Sequence, residues 1–176
     1  MAGEDAKELT GRVLDQGGPL SRAHIVASYN YALRLGGGNR HLAEDLAQQA
    51  CEEACRALAK SSIDSITVGW LVVTVRRRFA DTLRRKYRDR RRFSQLVPHT
   101  RLVDEPDWDA VGANEALMSL SRLPDDQRAA LIFRYVDDLP LAEVAELLDR
   151  SPSATESLLA RARRNLAALV TEVRNG

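Results

Sequence analysis

Apolar residues recur along most of this chain at helical rather than strand spacing. From Pro19 the pattern Ile25, Tyr29, Ala32, Leu33 predicts a helix, which Gly36-Gly37-Gly38 stops. A second helix is predicted from about His41 to Lys60, burying Ala47, Cys51, Ala54, Cys55 and Leu58. The stretch Ile66–Val75 is rich in β-branched residues and would suit a strand. Yet Val72, Val75, Phe79, Leu83 and Tyr87 keep helical register, so the reading is one helix from about Thr67 to Arg92, roughly 39 Å long at 1.5 Å per residue. Residues 93–112 lose the period, carry Pro98 and Pro106 and turn acidic, which predicts a linker. At 20 residues its fully extended reach is about 66–72 Å.

Beyond the linker, Leu123–Leu166 holds the most informative pattern. Pro124, Asp125 and Asp126 open a helix, with proline and carboxylates suited to a first turn. Ala129, Ile132, Phe133 and Val136 follow at helical spacing. Asp137-Asp138-Leu139-Pro140 breaks the run, and a short helix carries Leu141, Val144, Ala145 and Leu148 on one side. Asp149-Arg150 turns the chain, Ser151 is placed to cap and Pro152 to start the next helix. In that helix Thr155, Leu159, Ala162 and Leu166 face inward, leaving Ser153, Glu156, Ser157, Ala160, Arg161 and Arg164 outward. Two short helices joined by a tight turn, the second ending in a basic run, have helix-turn-helix geometry. An ordinary three-helix bundle with solvated arginines remains the alternative from this segment alone.

Together these elements predict an all-α protein of two small helical domains: a polar arm at 1–18, a first module at 19–92, the linker at 93–112 and a second module at 113–176. Few aromatics and many Ala, Leu and Arg agree with that class. The formal net charge is only +1, so partner choice is written in how the charge is distributed. Residues 76–92 hold ten Arg or Lys against Asp81 and Asp89, a net +8. Such density repels itself unless an anion lies against it, and nucleic acid is the partner whose counterion release rewards it. Phe79 and Tyr87 fall on the apolar stripe there, which makes them core rather than base-stacking platforms. The second helix carries a polar, mostly acidic stripe of Asp45, Gln48, Gln49, Glu52 and Arg56.

Other chemistry is sparse. Cys51 and Cys55 read as small core residues; no histidine stands at ligand spacing, so no metal site is expected. The three glycines lack the Gly-Lys-Ser/Thr that a phosphate loop needs. No Ser/His/Asp or Cys/His set points to an enzyme, and no cofactor is expected. There is no apolar run long enough for a bilayer, and MAGEDAKELTGRV lacks a signal-peptide core, so a cytoplasmic protein without a membrane partner is expected.

Three motifs in order resemble the extracytoplasmic-function (ECF) sigma factors of the sigma-70 family, over about 20–92 (region 2) and 113–170 (region 4). Ala43-Glu44-Asp45-Leu46-Ala47-Gln48 is similar to the family's AEDLxQ. The resemblance implies that Asp45, Leu46 and Gln48, with Glu52 on the same stripe, contact the β′ clamp helices of core RNA polymerase. Trp70-Leu71 followed by Arg76, Asp81, Arg84 and Arg85 resembles the helix that meets the −10 element, and Arg77 and Arg88 belong to the same basic surface. The Ser61–Val68 loop lies where relatives capture a flipped base. Leu123–Arg163 resembles the −35 reader, in which Ser153, Glu156 and Ser157 reach base edges while Arg161, Arg163 and Arg164 hold phosphates. The β flap, promoter DNA and an anti-sigma protein are the other implied partners. The function implied is that of an alternative sigma factor directing transcription initiation.

The chain departs from that pattern at several points. Arg77 stands where relatives usually have Asn, Val75 where they have Ala, and Cys51 and Cys55 replace Phe and Trp. Glu156 and Leu158 occupy positions commonly held by Lys and Arg. Glu156 could accept from cytosine N4, and an exposed Leu158 could meet a thymine methyl or a protein partner. Two other readings stay open: a stand-alone helix-turn-helix regulator binding a palindrome as a dimer, and a sigma-like protein that binds core without melting promoters.

Overall fold

The computed structural model describes residues 19–93 and 113–175, so the arm at 1–18 and nearly all of the expected linker lie outside the described residues. The described residues form α-helices and no strand: α1 (Arg22–Leu35), α2 (Arg40–Ala59), α3 (Val68–Phe93), α4 (Ala113–Arg122), α5 (Asp125–Leu131), α6 (Leu141–Leu147) and α7 (Pro152–Asn175). The all-α expectation holds, and the β-branched run resolves as the start of α3. Thr74 shows why: its hydroxyl donates to the Trp70 carbonyl one turn back, 2.9 Å away, and needs no strand partner. No helix among the described residues is long and apolar enough to cross a membrane.

These helices form two compact units. The first contains the described residues up to Leu33 and Asn39–Arg78. Here Asn39 caps α2 by accepting from the Leu42 amide at 3.1 Å, and Thr67 caps α3 by accepting from the Trp70 amide at 3.1 Å. The inner stripe of α2 is Ala43, Leu46, Ala47, Ala50 and Ala54, mostly alanines. Cys51, Cys55 and Leu58, expected inside, flank that stripe and are only half-buried. Glu53 on α2 pairs with Arg78 on α3.

The second unit contains Arg34–Gly38 and everything described from Phe79 on. Its long α7 packs against α4, α5 and α6. Phe133, Val144, Ala145, Leu158, Ala162 and Val170 form the centre of its core. Pro124 sits at the N-cap of α5, with ψ 144°, rather than inside the first turn, and Pro140 does the same for α6. Val136 corrects the periodic reading. α5 runs into a π-helical turn, Ile132–Val136, where the Asp137 amide donates to the Ile132 carbonyl five residues back. The wider turn shifts the register, so Ile132 and Phe133 are buried while Val136 is 59% exposed.

Candidate nucleic-acid interface

The helix expected to read duplex DNA begins as the sequence predicts. Ser151 accepts from the Ala154 amide at 3.2 Å through its hydroxyl and from the Thr155 amide at 2.9 Å through its carbonyl. Pro152 is the first helical residue. The preceding turn places Asp149 at φ 53°, a left-handed conformation that aspartate tolerates. Thr155, Leu159, Ala162 and Leu166 are buried, as their spacing requires. Ser153, Glu156 and Ser157 are exposed on the first turns of α7, with Arg161 and Arg164 partly exposed further along. Hydroxyls, a carboxylate and guanidiniums therefore share one surface, able to accept from or donate to base edges and to hold phosphates.

Two residues of this helix are not where the sequence suggested. Leu158 is 1% exposed, so it cannot meet a thymine methyl or a partner protein. Three helices pack on α7, and the buried arc is wide enough to take it in. Arg163 does not join Arg161 and Arg164: its Nη1 donates to the Tyr135 hydroxyl at 3.1 Å. It lines an apolar groove of about 440 Å³ with Leu120, Leu131, Ile132, Tyr135, Val136 and Leu166. Periodicity gives no sign of this groove, because the π-helical turn is what brings Tyr135 and Val136 to the surface. Met118 is a third large apolar side chain exposed on this unit.

On α3, Arg77, Arg85 and Arg88 are exposed, while Trp70, Arg76 and Arg84 are half-buried. Part of the expected self-repulsion is relieved internally: Arg84 donates to Asp81 at 2.6 Å, Arg78 pairs with Glu53 and Lys86 with Asp125. Phe79 is 1% exposed and Tyr87 half-buried, so neither is an open stacking surface. The loop before α3 places Ser61 at φ 51° and anchors the Ser62 hydroxyl on the Ala57 carbonyl at 2.9 Å, leaving Asp64 and Ser65 exposed.

The polar face of α2 is also as expected. Asp45, Gln48, Gln49, Glu52 and Arg56 are all exposed, with Glu52 accepting from Gln48 at 3.1 Å and from Arg56 at 3.2 Å. Leu46 does not belong to that face; at 2% exposure it anchors the helix from inside. Burial pushes the Cys51 and Cys55 thiols up, more strongly than the Ser28 hydrogen bond pulls Cys51 down, so both stay protonated at neutral pH. Among the described residues no cluster of His, Cys, Asp and Glu could hold a metal ion.

Comparisons with known proteins agree with this geometry. The family model for sigma-70 region 2 matches residues 20–89, and that for sigma-70 region 4 matches residues 113–166. The ECF RNA polymerase sigma factor ShbA of Streptomyces griseus is 31% identical over 150 residues, covering 79% of this chain and 77% of that protein. The ECF RNA polymerase sigma factor SigW of Bacillus subtilis is 26% identical over 141 residues, covering 73% and 75%. Among solved structures, the sigma factor RpoE of Bartonella quintana, crystallised with the anti-sigma factor NepR, shares the fold at a TM-score of 0.51 and 19% identity, over 94% of this chain and 98% of that one.

Proposed function

Because the chain belongs to the ECF sigma factors of the sigma-70 family, we propose that its exposed faces divide the work of initiation between core RNA polymerase and promoter DNA. The protein is an alternative sigma factor, with region 2 followed along the chain by region 4. In our reading the role is non-enzymatic: it positions core polymerase rather than carrying out chemistry.

The observation that carries the assignment of faces is the separation of charge. Asp45, Gln48 and Glu52 present an acidic, hydrogen-bonding surface on α2, which suits the β′ clamp helices; Leu46 holds that surface up from within. The basic surface of α3, with Trp70, Arg76, Arg77, Arg84, Arg85 and Arg88, suits the −10 region, where phosphate neutralisation supplies affinity. Ser153, Glu156 and Ser157 read the −35 element while Arg161 and Arg164 set register on its phosphates. Arg163 works with Tyr135 in the apolar groove, which suits the β flap. An anti-sigma protein is a further proposed partner through the family.

The test is transcription by core polymerase from a template library randomised across both elements. Wild-type protein should select sequence at two separated positions. Asp45→Lys with Glu52→Lys should lose all product while keeping its helical content, since both side chains are exposed. Equal product from the double variant would overturn the assignment of the acidic face.

A further inference from the structure

Cys51 and Cys55 stand one helical turn apart on α2, both free thiols and both half-buried. They occupy the flank between the alanine stripe that faces the core and the polar face that carries Gln48 and Glu52. The four residues interleave. Cys51 follows Gln48 by three positions and Cys55 follows Glu52 by three, so the thiols adjoin the Gln48–Glu52 hydrogen bond. Behind Cys51, the wholly buried Ser28 of α1 hydrogen-bonds its side chain and is itself anchored on the Ile25 carbonyl at 2.9 Å. One thiol is therefore held from behind, while both residues stay partly open to solvent.

Side chains four apart on a helix have Cβ atoms about 5–6 Å apart, whereas a disulfide needs about 3.5–4.5 Å. An intact α2 therefore disfavours direct oxidation of the pair. A single atom bonded to both sulfurs fits better, since two bonds of about 2.3 Å each span the wider gap. Zinc would need two further ligands, and among the described residues no group of three or more His, Cys, Asp or Glu supplies them. Charge narrows the choice further. Both thiols are held protonated, by burial first, and Cys51 by its neighbours Cys55 and Glu52 as well. A bound copper(I) would expel two protons and leave a net negative bis-thiolate beside Glu52. Arsenous acid does neither. Two As–O bonds break and two As–S bonds form, each departing hydroxyl takes a thiol proton and leaves as water, and arsenic stays trivalent. The product is neutral and keeps one hydroxyl on arsenic.

We propose that Cys51 and Cys55 form a dithiol site for trivalent arsenic, and that a group held there obstructs the α2 face offered to core polymerase. The obstruction rests on the functional reading above; the site rests on the geometry of α2 alone.

The experiment treats the reduced full chain with phenylarsine oxide, which condenses with two thiols and releases one water. Intact-mass spectrometry should show one phenylarsine per chain, retained against a monothiol and removed by a dithiol such as dimercaptopropanol. Cys51→Ser and Cys55→Ser, each keeping its helical content, should retain none. The adduct should also raise the midpoint of thermal unfolding, because the folded helix sets the two thiols for it and the unfolded chain does not. No adduct, an adduct equally retained by either serine variant, or a midpoint that fails to rise would overturn the site. After excess reagent is removed, the adduct should lose co-elution with core polymerase at limiting concentration and regain it when the dithiol strips the arsenic. Undiminished co-elution of the adduct would overturn the obstruction. Failure of the untreated protein to bind core would instead bring down the functional reading, with the mass and stability results still deciding the site.

Discussion

Arg128 donates its Nε–H to the carbonyl of Leu35, 93 residues earlier in the chain, and is only 3% exposed. A guanidinium out of water needs acceptors, and the Leu35, Ser121 and Leu123 carbonyls with the Asp125 carboxylate take four of its N–H groups. Replacing it with methionine keeps much of the volume but leaves those carbonyls without their donor. Arg128→Met should destabilise the protein by about 3 kcal/mol in chemical denaturation. A loss within error of zero would show the contact to be absent in solution.

Leu158 and Glu156 stand two residues apart on α7 with opposite surroundings, and their variants should fail in opposite ways. Leu158→Ala should cost about 2–4 kcal/mol through the cavity it leaves, with base preference unchanged. Glu156→Lys should alter the preferred −35 sequence with stability changed by less than about 0.5 kcal/mol. Denaturation and a binding-site selection on both variants check the pair; the reverse pattern would contradict the burial of Leu158.

The apolar groove gives a third expectation. Tyr135 and Val136 are 53% and 59% exposed, so Val136→Asp should barely change stability. It should weaken association with core polymerase, since a buried carboxylate opposite an apolar partner pays a desolvation cost. Gel filtration of mixtures with core reads this directly, and unchanged co-elution at limiting concentration would count against the groove as a polymerase contact.

Asp125 makes a prediction about acid. Burial raises its carboxyl, but hydrogen bonds and attraction from Lys86 and Arg128 outweigh that and hold it below the usual carboxylate range. A depressed folded-state value means stabilisation that is complete above the unfolded carboxylate range, near pH 4, and is lost as pH falls through the folded value. The stability difference between wild type and Asp125→Asn should therefore be constant at neutral pH and shrink below about pH 4. A difference that widens on acidification would reverse the sign.

Helix content and the inward face of α7 were legible because they depend on local periodicity, as Thr155, Leu159, Ala162 and Leu166 illustrate. The outward acidic stripe of α2 followed from the same rule. What the sequence did not disclose depends on how helices meet. Val136 left the apolar stripe because a π-helical turn changed the register, and Leu158 was buried because three neighbours widened the core arc on α7. Cys51 and Cys55 moved to the flank because alanines, which allow close approach, took the centre of α2. Leu46 belongs to the acidic motif by position and to the core by burial, a distinction only the packed helix makes. The burial of Arg128 has no local sequence signal, because the Leu35 carbonyl it binds lies 93 residues away in the chain.

The central claim is tested most directly by multi-round transcription from sheared genomic DNA with purified core polymerase, with and without this protein. The account predicts discrete new transcripts whose start sites share two upstream elements, and their loss with Asp45→Lys and Glu52→Lys together. No new transcripts and no complex with core would contradict it.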